Sequence, residues 1–527
     1  MLFGVFLEPS QINQAIFIAE KNGLAPIATL GNVVGKASKH GSGQSWHGLS
    51  IAKIKGSVPF LLASPFYSSF LKGQIEIKLC FMKSQFRTVI RQKIIDAQAV
   101  PLRVLTRRDI WLPAVKAKAT AVIGMRRAGK TSLLWQILAD RHASGIPREG
   151  LLYFSFEDER LADMQLQDLD LLVETFYQLN PAWRDSRRAS FFLDEIQLVP
   201  GWELFARRLL DSENIDLFLS GSSARLLSRE VATSMRGRAM EAVVFPFGFR
   251  EMLRHAGCEP QKPTNRLTKA ERSQLDRHLL DYLAHGGFPE AQGLDARNRL
   301  ELLRTYVDVV LLRDVIERHN LSQPQVLHWM VRQLLGNAAG AFSINKFHAD
   351  LKSRGVAVGK DTLHSYLAHL EDAFLLSSLD LATDSERRRQ VNPRKVYPVD
   401  TGLMALFDRS GKANVGHALE TAVLQELQRR GAQVNYVRTP AGFEVDFYAR
   451  GVTGSEALIQ VCADLDSPDT LAREVRALQD AAPAWPHAAL QLVTLNPPKE
   501  GAVPPEIQLY LAPDWLLNGD EDPIAAL

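Results

Sequence analysis

Gly124, Gly129, Lys130 and Thr131 stand in the spacing G-x-x-x-x-G-K-T. Glycines at those positions let the backbone curl so that successive N–H groups point inward at an anion. The lysine that follows can reach phosphate oxygens, and the threonine hydroxyl can ligate Mg²⁺. The candidate phosphate-binding set is Gly124, Arg127, Ala128, Gly129, Lys130, Thr131 and Ser132. Downstream, Phe191-Phe192-Leu193 feeds Asp194 and Glu195. In that pattern Asp194 joins Thr131 in holding Mg²⁺, and Glu195 polarises the attacking water as general base. Ser220, at the end of the apolar run Ile215–Leu219, is the candidate to touch a γ-phosphate or that water.

Such groups need a strand that stops and a helix that starts. Ala121-Val122-Ile123 is β-rich and enters the glycine loop, and Ser132–Leu138 continues with helical spacing. The helix start adds its positive dipole end to the phosphate cradle. This is the strand–loop–helix context of a P-loop, and it implies ATP and Mg²⁺ as cofactors. The apolar runs before Asp194 and Ser220 read as buried parallel strands whose ends meet a nucleotide.

The chain has 527 residues, 46% of them apolar and 23% charged. That is an ordinary globular composition, and the length corresponds to about three or four domains. A net charge of +3 does not point to binding of nucleic acid by bulk charge, and leaves room for a local basic patch. Cys80, Cys258 and Cys462 have no short spacing, which excludes a disulfide scaffold and a four-cysteine zinc site. No apolar run is long enough for a membrane span, and the N-terminal segment lacks a charged region ahead of its apolar residues. The expected location is cytoplasmic. Residues 1–81 contain no arginine and no aspartate but seven lysines. That abrupt shift marks them as a non-native or disordered extension, with Met82 as the natural start and an amphipathic helix in KSQFRTVIRQKII.

The motifs extend well beyond the loop. GMRRAGKT, FLDEIQLVPGWE, FLSGSSARLLS, MRGR and VVFPFGFREM are followed by YLAHGGFPE, YVDVVLLRDVIERHN, KVYPVDTGL and GFEVDF. Together they resemble a prokaryotic family of AAA-type P-loop ATPases with an uncharacterised C-terminal domain. The resemblance covers most of 83–515 and none of 1–81. It implies an ATP hydrolase, and it makes Arg238 of MRGR the candidate arginine finger or nucleotide-sensing arginine. Such fingers act between chains, so that role requires an oligomer, which the sequence itself does not show.

The expected fold class is α/β: a P-loop parallel sheet with a helical lid, a winged helix and a C-terminal nuclease-like α/β domain. The expected boundaries are 82–262 for the ATPase domain, 263–320 for the lid, 321–392 for the winged helix and 393–515 for the nuclease-like domain, with a tail at 516–527. Lys360–Leu367 is the expected recognition helix, and Arg387–Arg389 with Arg394 and Lys395 forms a basic patch in 387–395. DNA or a protein is the candidate partner for both. The helix at 417–424 and strands at 434–437, 443–447 and 458–462 resemble the restriction-endonuclease fold. Glu420 and Asp446 stand at two of its acidic positions. Gln460-Val461-Cys462 replaces its acid-x-lysine motif, and the nearest downstream lysine is Lys499. That site, Glu420, Asp446 and Gln460, is therefore expected to be vestigial.

Overall fold

A computed structural model describes residues 83–518 except 185, 222–234, 236, 408–413 and 500. The expected start at Met82, the extension 1–81, and most of the tail lie outside the described residues. Helix α1 (83–99) places Phe86, Ile90 and Ile94 one turn apart, and all three are buried. That stripe faces the core, as an amphipathic helix requires.

Strands β1 (Ala119–Ile123), β2 (Leu151–Ser155), β3 (Ala189–Asp194), β4 (Ile215–Ser220) and β5 (Ala239–Val243) form a parallel sheet in the order β2-β3-β4-β1-β5. β1 and β3 are buried along their whole length, which sequences of small and apolar residues permit up to the acid that ends β3. Helix α2 (Lys130–Ala143) covers one face, packing Leu133, Leu134 and Ile137 with Val122, Phe192 and Phe218. Helices α1, α3 (Asp170–Leu179) and α4 (Trp202–Ser212) cover the other. Because β4 lies between β1 and β3, the carboxyl ends of all three strands converge at the start of α2. That edge is where ligands bind in open α/β sheets.

Helices α5 (Phe249–His255), α6 (Lys269–His285) and α7 (Ala296–Val309) follow. α7 runs directly into a π-helical stretch, Val310–Glu317. Helix α8 (Pro324–Gly336), strand β6 (Ala341–Phe342), helices α9 (Ile344–Ser353) and α10 (Lys360–Asp372), strand β7 (Leu376–Leu379), helix α11 (Glu386–Val391) and strand β8 (Arg394–Pro398) come next. β8 is the centre of a three-stranded antiparallel sheet, β6-β8-β7. The expected boundary at 392/393 thus separates β8 from both strands it pairs with, and 394–398 belong with the preceding module.

The C-terminal module sets helix α12 (Val415–Arg429) on one face of a sheet ordered β13-β12-β11-β10-β9 and helix α13 (Pro468–Ala481) on the other. Its strands are β9 (Gln433–Arg438), β10 (Glu444–Arg450), β11 (Glu456–Asp464), β12 (Ala489–Asn496) and β13 (Ile507–Leu511). The first three are antiparallel to one another and the last three parallel. The short helix α14 (Ala512–Leu517) buries Trp515 in the core beneath α12. No described helix is long and apolar enough to cross a membrane.

Candidate nucleotide site

The loop after β1 is built on two backbone conformations that favour glycine. Gly124 has φ +143°, and a Cβ there would lie 2.2 Å from the Val244 carbonyl oxygen. Only glycine lets the loop turn this tightly against the residue after β5. Gly129, at φ +106°, caps α2, whose first turn carries no acidic residue. The unpaired N–H groups of the helix start are therefore not masked by a carboxylate of that turn.

Lys130 is buried, and its Nζ donates to the carbonyls of Gly124 and Met125, each at 3.0 Å. Burial lowers its pKa to about 8, against the opposing pull of Glu195. Thr131 Oγ1 donates to Asp194 Oδ2 at 2.9 Å, and the Tyr153 hydroxyl donates to the same oxygen at 2.8 Å. Ser220 Oγ donates to Asp194 Oδ1. The hydroxyl and the carboxylate expected to hold Mg²⁺ are in direct contact, and their hard oxygen donors fit that ion. Glu195 follows in the left-handed region at φ 54°, with Gln197 donating to its Oε2. A non-glycine residue there is strained by roughly 1 kcal/mol or more, a cost that recurs where geometry serves a function.

Ser220 is fully buried, with its hydroxyl on Asp194 Oδ1. Arg127 projects its exposed side chain to Glu290 at 3.2 Å. Arg238 is corrected as a sensor of nucleotide on its own chain. Its carbonyl pairs with Ala119, the first residue of β1, at 2.9 Å, and its side chain pairs with Asp211. The glycine loop begins at Gly124, five residues further on, roughly 16 Å away at a strand's rise per residue. Arg236, the neighbouring arginine of MRGR, lies outside the described residues.

Several residues that complete the site carried little or no signal in the sequence. Arg108, from the irregular stretch before β1, is buried and fixed from three sides. It donates to Glu251 Oε1 and the Ala128 carbonyl at 2.9 Å each, and to the Phe245 carbonyl at 2.5 Å. It thus holds the loop from behind, and nothing in its spacing marks it. Arg126 forms a two-pronged pair with Asp314 of the π-helical stretch, at 2.8 and 2.9 Å. Met125 is fully buried in a core otherwise built from residues 288–403, among them Phe288, Val310 and Leu403. Tyr153 was the detectable one, a polar tip in the apolar strand LLYFS.

Further along, Glu420, Asp446 and Gln460 do come together, and all are buried. The expectation that lysine is missing there is corrected: Lys395 Nζ lies 2.8 Å from Glu420 and 3.0 Å from Asp446. Lys395 stands on β8, upstream of both acids in the chain. The same residue corrects the basic patch, since Lys395 is buried and cannot be part of a surface face. Arg389 pairs with Glu386, and Arg394 with Asp380. Cys462 is half-buried, and burial raises its thiol pKa.

The chain matches the AAA domain family over residues 116–253 and a domain of unknown function, DUF8612, over residues 276–412. It is 31% identical over 415 residues to the uncharacterized protein MJ1544 of Methanocaldococcus jannaschii, covering 77% of this chain and 89% of that one. The chain belongs to one family with MJ1544. An uncharacterized protein of Haemophilus influenzae is 30% identical over 330 residues, covering 62% of this chain and 78% of that protein. Among solved structures, the Walker-type ATPase PABY2304 of Pyrococcus abyssi is similar at 14% identity and a TM-score of 0.36, covering 61% of this chain and 95% of that one. Residues 116–253 of this member are an AAA domain, and its five-stranded parallel sheet fits a P-loop NTPase.

Proposed function

We propose that the chain binds MgATP at the carboxyl edge of the AAA sheet, hydrolyses it, and uses the cycle to alter contacts with a partner through its C-terminal half. The contact of Thr131 with Asp194 carries this reading, because it joins the phosphate loop to the acidic strand at the place Mg²⁺ requires. Gly124, Arg127, Ala128, Gly129 and Ser132 contribute loop backbone, and Lys130 neutralises phosphate charge. Thr131 and Asp194 hold Mg²⁺, which withdraws charge from the phosphates when bound. Glu195 takes the proton of the attacking water, and Ser220 keeps Asp194 in place. Arg238 is proposed as a finger only toward a neighbouring chain.

The deciding experiment pairs ATP binding with turnover. Lys130→Ala should weaken ATP binding about tenfold or more, the worth of a charge-assisted hydrogen bond. Glu195→Gln should retain binding and lose turnover by about 10²–10⁴. Equal affinity in wild type and Lys130→Ala would overturn the site, and wild-type turnover in Glu195→Gln would overturn the assignment of the base.

A nucleotide-gated regulator with little turnover is the second reading, and the order α8-β6-α9-α10-β7-α11-β8 favours it, since apart from α11 between the last two strands that is the succession of a winged helix. The exposed Lys360 and His364 of α10 would meet DNA, while Asp361 on the same helix opposes it. ATPase assays with and without DNA distinguish the two.

A further inference from the structure

A lysine and three acids meet at one point between β8 and the C-terminal sheet. Lys395 leaves β8, the middle strand of the small sheet, and is only 4% exposed. Its Nζ lies 2.8 Å from Glu420 Oε1 on α12, 3.0 Å from Asp446 Oδ1 and 3.1 Å from Glu444 Oε1, both on β10. Tyr397, two residues on and facing the same side of β8, donates its hydroxyl to Glu420 Oε1 at 2.7 Å. The other Asp446 oxygen accepts the Val461 N–H at 3.0 Å. Gln460 is engaged at both ends, accepting the Asp446 N–H at 3.3 Å and donating to Glu474 Oε2 at 2.7 Å.

This donor set does not fit a divalent cation. An Mg²⁺ or Mn²⁺ ion bridging Glu420 and Asp446 would occupy the point where the ammonium already sits, within hydrogen-bond reach of both carboxylates. Two cations in one buried pocket repel strongly. Gln460, turned to Glu474 by its amide, presents no carbonyl to the pocket. The lysine is also not a surface side chain that has strayed inward. Its strand is pinned on both sides by β6 and β7, and Tyr397 anchors the next inward position.

We propose that Lys395 is a built-in counter-cation in the divalent-metal position of this acidic pocket, so that the C-terminal module is a latch on β8 rather than a metal-dependent nuclease. The latch reaches further than one ion pair. Between β7 and β8 runs the segment that carries Arg387, Arg388 and Arg389, and its first residues continue onto the C-terminal sheet. There the Ala382 N–H donates to the Tyr436 carbonyl at 2.8 Å, and the Tyr436 N–H donates to the Asp380 carbonyl at 3.1 Å. Lys395 closes the loop from its other end. The arginine-bearing segment is thereby held to the C-terminal sheet at both ends. Burial, then the Asp446 charge, push the Glu420 pKa up.

The test is Mn²⁺ binding by the full chain without nucleotide, read by calorimetry. Wild type and Asp446→Asn should give the same isotherm. Lys395→Ala should gain one Mn²⁺ site, bound at least tenfold more tightly than any wild-type site and lost again in Lys395→Ala/Asp446→Asn. A Mn²⁺ site in wild type that Asp446→Asn abolishes would overturn the proposal, as would a folded Lys395→Ala that gains none. The comparison of wild type with Asp446→Asn holds even if Lys395→Ala fails to fold. Incubation of wild type with supercoiled DNA and Mn²⁺ adds a second readout, and cleavage that disappears in Asp446→Asn would equally overturn it. For the latch, Lys395→Met keeps the apolar stem. Trypsin should cut this variant at Arg387–Arg389 at least tenfold faster than wild type, and an unchanged rate would refute the clamping role.

Discussion

Lys130 combines two demands that pull apart with pH. Buried in the glycine loop, it has a pKa lowered to about 8, while an unfolded lysine stays protonated to about 10.4. Between those values the folded protein holds fewer protons than the unfolded chain, so this residue's contribution to stability rises with pH. The cation that phosphate needs is lost over the same window. Titrating from pH 7 to 10 should therefore weaken ATP binding, beginning near pH 8, while Lys130→Ala shows a flat profile. Parallel profiles in the two proteins would remove Lys130 from the phosphates. Arg108 supplies a second prediction. Arg108→Ala leaves Glu251 buried without its partner, a loss of about 3–5 kcal/mol, and frees the Ala128 carbonyl behind the loop. Thermal unfolding should register the first effect, and a raised Kd for ATP the second. Residues with fixed spacing, Lys130, Thr131, Asp194 and Glu195, were legible because their chemistry dictates their intervals. Arg108 and Asp314 were not, because they act through space from segments with no periodic signature. Lys395 was missed for a related reason: strand pairing carries it to acids that come later in the chain.

At the scale of elements, strand ends and helix starts were readable from apolar runs and glycine positions, and β1, β3, β4 and α2 fall where those signals place them. The π-helical stretch Val310–Glu317 was not, since its residues keep a helical pattern and only the backbone pitch differs. It presents Asp314 to Arg126. Asp314→Asn should uncouple loop from helix, leaving Arg126 without its acid and changing ATP affinity with little effect on the AAA sheet. A titration against Arg126→Ala checks this, because the double variant should match either single one. A second junction joins α6 to the turn after β8. Asp400 accepts the N–H groups of Gly287 at 2.6 Å and Gly402 at 2.9 Å, and burial raises its pKa to about 6. Here the folded state binds the extra proton between pH 4 and 6, so this contribution to stability falls as pH rises through that range. Asp400→Asn should flatten that slope and cost about 1–3 kcal/mol at neutral pH. Gly287→Ala should be worse, because its Cβ would meet the Phe247 carbonyl oxygen at 2.0 Å.

For the whole molecule, the AAA sheet and the modules after it are joined at the phosphate loop itself. Ligand that binds only the folded state adds about 2.7 kcal/mol at a hundredfold excess over its Kd. With Met125 in the core of residues 288–403, that stabilisation should appear in probes of both halves, for example as slowed amide exchange in α2 and in α7 alike. Protection confined to α2 would show the coupling to be inert. A finger supplied between chains makes a separate prediction: mixing inactive Arg238→Ala with inactive Lys130→Ala should restore part of the turnover, because one supplies a loop and the other an arginine. Met125 has a practical consequence for anyone dissecting the chain. A fragment of 82–262 would set a bare thioether against water and take from Arg126 its paired acid, Asp314. Its weak grip on nucleotide would look like a defective catalytic centre, when what the scissors removed is the far wall of the loop.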